Sequence, residues 1–229
     1  MAVLSHASTM TSADERRALD RPTVPKGASP PGWIRQWLGL LVFALVLVFA
    51  RASLADHYVV PSGSMEPTVH VGDRIFVNKA AFGWRVPLTG VWLGHPRMPA
   101  RGSVIVLDPP EPGPGPVLLK RVVALPGDVV KVRGGRLQIN GESVPVETVV
   151  SEPGTLVEHL GPPHHIQLGF GGGPDWGPEV VPEGKLLVLG DNRGNSRDGR
   201  YFGFIDVTLV RGRAVGIYAR SGRPTWRDL

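Results

Sequence analysis

The chain has 229 residues, enough for one well-packed domain with appendages, and contains no cysteine, which excludes disulfides, thiolate nucleophiles and cysteine-based zinc sites. Glycine (30) and proline (23) are abundant, which argues against a helical bundle and for a loop-rich, mostly β chain. The formal charge is +5, but lysine and arginine are scattered, without a basic run or an aromatic-interleaved pattern, so the expected basic-surface partner is membrane lipid and no nucleic acid.

Residues 1–32 are rich in Ser, Thr, Ala, Pro and charge and read as a flexible tail. Trp33 to Ala50 reads WIRQWLGLLVFALVLVFA, with no charge from Trp37 onward. Extended to residue 55, with Arg35 and Arg51 snorkelling near its ends, the segment reaches the ~20 residues a bilayer requires, so 33–55 is expected to be a transmembrane anchor. A cleavable signal peptide competes with that reading, because Ala50-Arg51-Ala52 and Ala52-Ser53-Leu54-Ala55 have small-x-small spacing. Arg16, Arg17, Arg21, Lys26 and Arg35 precede the run and Arg51 alone follows closely. The positive-inside rule then puts the tail in the cytoplasm and residues 56–229 outside, as a single-pass protein of the cell membrane.

Directly after the anchor comes Val59-Val60-Pro61-Ser62-Gly63-Ser64-Met65-Glu66-Pro67-Thr68, which suits neither helix nor strand. Pro61 lacks a backbone donor, Gly63 is permissive and Pro67 restricts Glu66, so the stretch reads as a shaped turn presenting a hydroxyl. Strands are expected at Arg74–Asn78 and Val104–Leu107, while Phe82, Trp84, Trp92 and Leu93 fall in a segment too irregular for an element. These four side chains are expected at the lipid interface. Residues 108–116, DPPEPGPGP, read as a stiff connector.

Val117 to Ala124 reads as a strand in which Lys120 shares a face with Leu118 and Val122, while Arg121 points the other way. A meander follows over Val129–Val132, Leu137–Ile139 and Glu142–Val144, and then 146–181 is weakly patterned. That stretch holds His159, His164 and His165 in no ligand spacing, so they are expected at the surface and no metal is assigned. Leu186–Leu189 reads as a buried strand, followed by a dense polar loop from Gly190 to Gly203 and a last strand over Val210–Tyr218. Nothing here defines an oligomeric state.

A serine nucleophile needs a base, and the histidines lack a triad context. Lysine serves if it is neutral, and apolar neighbours lower its pKa by several units. Lys120 has such neighbours.

Four blocks now carry a resemblance: Ser62-Gly63-Ser64-Met65-x-Pro67-Thr68, then Arg101-Gly102-Ser103-Val104-Ile105-Val106, then Lys120 to Asp128 (KRVVALPGD), and finally Gly190 to Gly203 (GDNRGNSRDGRYFG). In this order, behind an apolar run, the sequence resembles the bacterial type I signal peptidases, membrane-bound Ser–Lys proteases. It departs from the family pattern at Ser103, Ala124, Gly194 and Gly199. The resemblance implies an antiparallel β-sheet catalytic domain over 56–229, with an inserted β-ribbon region at about 129–185. It implies Ser64 as nucleophile and Lys120 as general base. Ser62 would contribute to the oxyanion hole, Ser196 would orient the lysine, and Asp191, Asp198 and Arg200 would support the loop. Tyr58, Val60, Pro61, Met65, Ile75 and Leu119 would line small substrate pockets. The implied substrates are signal-peptide-bearing preproteins cut after Ala-x-Ala, with no cofactor.

Overall fold

The structure is a computed structural model that describes residues 31–86, 91–111, 113 and 115–229. Gly32–Leu54 is an α-helix, α1. Its described side chains from 36 to 48 are exposed. Among the described residues no helix is long and apolar enough to cross a membrane, and the expected flexible tail lies outside them, except at 31 and 32.

The remaining elements are short strands. Ala55–Val59 (β1) and Arg74–Asn78 (β2) flank the serine turn, and Trp84–Arg85 (β3) pairs with Trp92–Leu93 (β4). Val104–Leu107 (β5) and Leu118–Ala124 (β6) enclose the proline-rich connector. Val129–Arg133 (β7), Arg136–Ile139 (β8) and Glu142–Ser143 (β9) form the expected meander. Val146–Thr148 (β10), Thr155–Glu158 (β11), His164–Gln167 (β12) and Trp176–Val180 (β13) follow, and then Lys185–Leu189 (β14). After a short helix, Gly199–Phe202 (α2), come Ile205–Asp206 (β15), Val210–Arg220 (β16) and Arg223–Asp228 (β17).

The main sheet runs β1-β2-β16-β5-β6-β14-β15, with β17 on β16, and its pairings are antiparallel. The late strand β16 thus lies between the pair that brackets Ser64 and the pair that carries Lys120. Strand β6 is interior, between β5 and β14, so Lys120 is not an edge-strand gatekeeper. A second sheet, β13-β7-β8-β9, and a third, β10-β11-β12, account for 129–180.

One expectation needs correction and one open point is settled. The weakly patterned 146–181, whose order the sequence leaves open, forms four strands, in which β-branched residues such as Val157 and Ile166 are separated by turns that hide any alternation. The aromatic segment forms a turn of 3-10 helix at Lys79–Phe82 and a two-stranded ribbon.

The core has three clusters. The one beneath the serine turn joins Val60, Met65, Val69, Ile75 and Val77 to Val104, Val106, Ala214 and Ile217. Each such side chain contributes about 1.5–3 kcal/mol when fully buried. The turn is therefore anchored by its own apolar residues, Val60 and Met65, on either side of exposed Ser62.

Candidate active site

Ser64 sits in a one-turn 3-10 helix, Gly63–Met65, entered from extended Ser62 (φ −139°, ψ 154°). The surrounding loop is closed on itself, because Val60 N–H donates to Asp73 O and Gly72 N–H to Val60 O, each at 2.9 Å. Asp73 is 1 % exposed and takes a fork from Arg220 at the end of β16, with Nη2 at 2.6 Å. Met65 points into the core and Ser64 toward β6.

Lys120 Nζ donates to Ser64 Oγ at 2.8 Å. The lysine is 3 % exposed, with Leu118 and Leu119 beside it in the cleft wall. Burial lowers its pKa from 10.5 to about 8, against the opposing pull of Asp198 and then Asp191. An amine of that pKa is neutral in roughly a quarter of molecules at pH 7.5. It can then accept the serine proton without first leaving the site.

The neighbouring residue on β6 does the opposite job. Arg121 faces away and binds Asp191 through Nε at 2.8 Å and Nη2 at 2.6 Å, both groups being buried. Burial alone would raise the Asp191 carboxyl, but Arg121 outweighs it and holds it below the usual carboxylate range. Asp191 also accepts from Thr68 Oγ1 at 2.6 Å, tying the end of the serine turn to the polar loop. The alternation of one strand thus separates a lysine hydrogen-bonded to Ser64 from an arginine paired with Asp191.

Asp198 and Arg200 do pair: Arg200 Nε donates to Oδ1 at 2.8 Å and Nη2 to Oδ2 at 2.9 Å. Asp198 also accepts from Gly190 N–H at 3.0 Å, and Arg200 reaches the Gly172 and Arg193 carbonyls. Asp191 belongs to a separate pair, with Arg121 rather than Arg200.

Ser196 departs from expectation. Its hydroxyl is buried and has no hydrogen-bond partner among the described residues, so it does not orient Lys120 by a hydrogen bond. The lysine is turned to Ser64, and the serine is wedged against the main chain. A Cβ on Gly190 would lie 2.3 Å from Ser196 Oγ and 2.4 Å from Ser64 O. Only a glycine lets this loop pass so close to the nucleophile.

A cleft of about 380 Å³ opens at the dyad. Its lining includes Ser62, Ser64 and Lys120 together with Tyr58, Val60, Pro61, Met65, Ile75 and Leu119, so the expected pocket residues converge on one groove. At Tyr58, burial raises the phenol pKa, and Arg211 opposes that shift.

Several residues that organise the site did not stand out in the sequence. Asn192 clamps the nucleophile turn twice: its N–H donates to Ser64 O at 3.1 Å and its Nδ2 to Gly63 O at 3.2 Å. Arg193 and Glu158 form a buried pair at 2.5 Å, and His164 Nε2 lies 3.2 Å from the same Glu158 oxygen. Burial would raise the Glu158 carboxyl, and Arg193 followed by His164 more than reverses this. His164 is therefore a buried residue beside Glu158, not a surface one. Glu158 and His164 lie on paired strands β11 and β12, a register that only the fold reveals. Among the described residues no group of three or more His, Cys, Asp or Glu is arranged to hold a metal ion.

The aromatic segment divides. Phe82 is 5 % exposed and belongs to the core, and Trp92 donates to Thr208 O at 3.1 Å beneath the Arg85 guanidinium. Neither fits the expected lipid-facing position. Trp84 and Leu93, opposite each other on β3 and β4, are exposed, as is Val91.

The comparisons with known proteins agree with this geometry. The family described as signal peptidase, peptidase S26, matches residues 34–219. A signal peptidase I of Leptolyngbya laminosa is 33 % identical over 203 residues, covering 85 % of this chain and 85 % of its own. A signal peptidase I of Bacillus licheniformis is 34 % identical over 198 residues, 86 % of this chain and 94 % of its own. That of Pseudomonas fluorescens reaches 41 % over 172 residues, covering 70 % of this chain and 60 % of the relative. With a family match over most of its length and relatives above 30 % identity, the chain belongs to the signal peptidase family, peptidase S26, and is a serine peptidase.

Proposed function

We propose that this protein is a membrane-anchored endopeptidase that removes signal peptides from preproteins after small-x-small sites, using Ser64 and Lys120. The observation that carries the reading is the 2.8 Å contact between Lys120 Nζ and Ser64 Oγ, with a lysine pKa near 8. Neutral Lys120 takes the Ser64 proton as Oγ attacks the scissile carbonyl. The resulting oxyanion is held by the Ser64 N–H and the Ser62 hydroxyl, and Lys120 then returns the proton to the leaving amine. The acyl-enzyme is hydrolysed by a water that loses its proton to the same amine.

The groove supports the small-x-small preference. Val60, Met65 and Ile75 line the groove from the buried core, and this apolar wall suits small uncharged side chains. The anchor reading rests on the uncharged sequence from Trp37 to Ala50 and on the exposed Leu, Val and Phe side chains along it. Basic residues ahead of it favour a cytoplasmic N-terminus.

The test is incubation of the detergent-solubilised protein with a preprotein whose signal ends in Ala-x-Ala. Wild type cleaves it after the second alanine, and Ser64→Ala and Lys120→Ala do not. Cleavage that persists in Lys120→Ala overturns the dyad, and a wild type that cuts nothing overturns the reading altogether.

A further inference from the structure

Apart from the dyad cleft, a second cavity of about 480 Å³ opens between the turn before β5, the loop leading into β12, and the β16–β17 hairpin. Four arginines (101, 121, 213 and 227) and two histidines (164 and 165) line it, together with the Asp228 carboxylate and the C-terminal residue Leu229. Arg101 is bound to Asp128 and Arg121 to Asp191. Asp228 accepts from Trp226 Nε1 at 2.8 Å. The Arg213 and Arg227 guanidinium groups form no ion pair or hydrogen bond among the described residues, although they share the cavity. Both are exposed, so the cavity presents two guanidinium groups to a solvent-borne anion.

The walls are stiff. Pro67, Pro162 and Pro163 line the cavity. The loop that carries the last two presses on the β5 turn so closely that a Cβ on Gly102 would meet Leu160 O at 2.8 Å. The concavity is therefore a fixed part of the fold.

We propose that this cavity binds a phosphate group between Arg213 and Arg227. The planar guanidinium fork matches phosphate oxygens in pairs, and its charge does not depend on pH in the working range. The volume exceeds that of a phosphate, which leaves room for an organic substituent. The site also adjoins the catalytic scaffold. Thr68 and Arg121 form part of its lining, both bind Asp191, and the next residue, Asn192, holds the Ser64 carbonyl. A ligand here touches the scaffold of the nucleophile without entering the substrate groove. The phosphate can be free or can belong to a lipid headgroup.

Calorimetric titration of the detergent-solubilised full chain with inorganic phosphate, at constant ionic strength, tests the proposal. Wild type shows saturable binding. The Arg213→Gln/Arg227→Gln variant binds at least tenfold more weakly, while its cleavage of a soluble peptide without phosphate is unchanged. Vesicles containing phosphatidylglycerol that displace bound phosphate from wild type identify the headgroup as ligand, and vesicles that leave it bound identify free phosphate. Absence of saturable binding, or equal affinity in the double variant, overturns the proposal. Should the double variant fail to fold, Arg227→Gln alone, at an exposed position on β17, carries the same expectation at smaller size.

Discussion

A lysine displaced from 10.5 to about 8 costs the folded state about 3 kcal/mol whenever it is charged. The sign of the linkage follows from the lowered folded pKa. Between about 8 and 10.5 the unfolded chain binds more protons, so stability rises with pH across that window, and the full penalty stands below pH 8. Lys120→Met is therefore expected to be inactive yet more stable at pH 7 by about 3 kcal/mol, with the gain fading toward pH 10.5; denaturant melts at several pH values measure this. The same shift sets the rate profile. The kcat/KM for a soluble peptide rises about tenfold per pH unit below 8 and levels above it, because the neutral amine is the active form. Asn192 gives a different signature. Asn192→Ala keeps the N–H on Ser64 O but loses the amide on Gly63 O. The loss of one hydrogen bond, about 1 kcal/mol, predicts a five- to tenfold fall in kcat, with KM and the pH midpoint unmoved.

The polar loop between β14 and α2 shows what spacing can and cannot reveal about elements. Its acidic and basic residues announce a built loop, and the Asp198–Arg200 pair was legible from the motif. The partner of Asp191 was not, because Arg121 is 70 positions away and meets it only through the β6–β14 pairing. The glycines that depart from the family pattern turn out to be close approaches. A Cβ on Gly194 would lie 1.5 Å from Gly169 O, and one on Gly199 would lie 2.6 Å from Leu187 Cδ1. Gly194→Ala is thus expected to destabilise by more than about 3 kcal/mol and to lower the melting temperature, since backbone rather than a flexible side chain blocks the space. Strands that read as short apolar runs, such as β5 and β14, or as β-branched and aromatic, such as β2, were legible from composition. The two-residue strands and those of 146–180 were not, because pairing partners rather than propensity define them.

At the scale of the molecule, the β3–β4 ribbon lies outside the groove that holds Ser64 and Lys120. Trp84 and Leu93 stand exposed on one ribbon while Phe82 and Trp92 hold its base. Trp84→Ser is expected to weaken liposome binding by the domain without altering its melting temperature, whereas Phe82→Ser lowers the melting temperature by leaving a cavity in the core. Co-sedimentation and thermal melts separate the two. Ser64 and Lys120 were legible because each sits in a recognisable sequence block, but the sequence could not show how the 56 positions that separate them are folded to bring them together.

Strand β16 joins them. Among the described residues it alone connects the β1–β2 pair to the β5–β6 pair within the sheet. A chain that stops before Val210 carries Ser64 and Lys120 but lacks the strand that ties their two halves of the sheet together. Truncation after Leu209 is therefore expected to abolish peptide cleavage, which the same soluble-peptide assay checks.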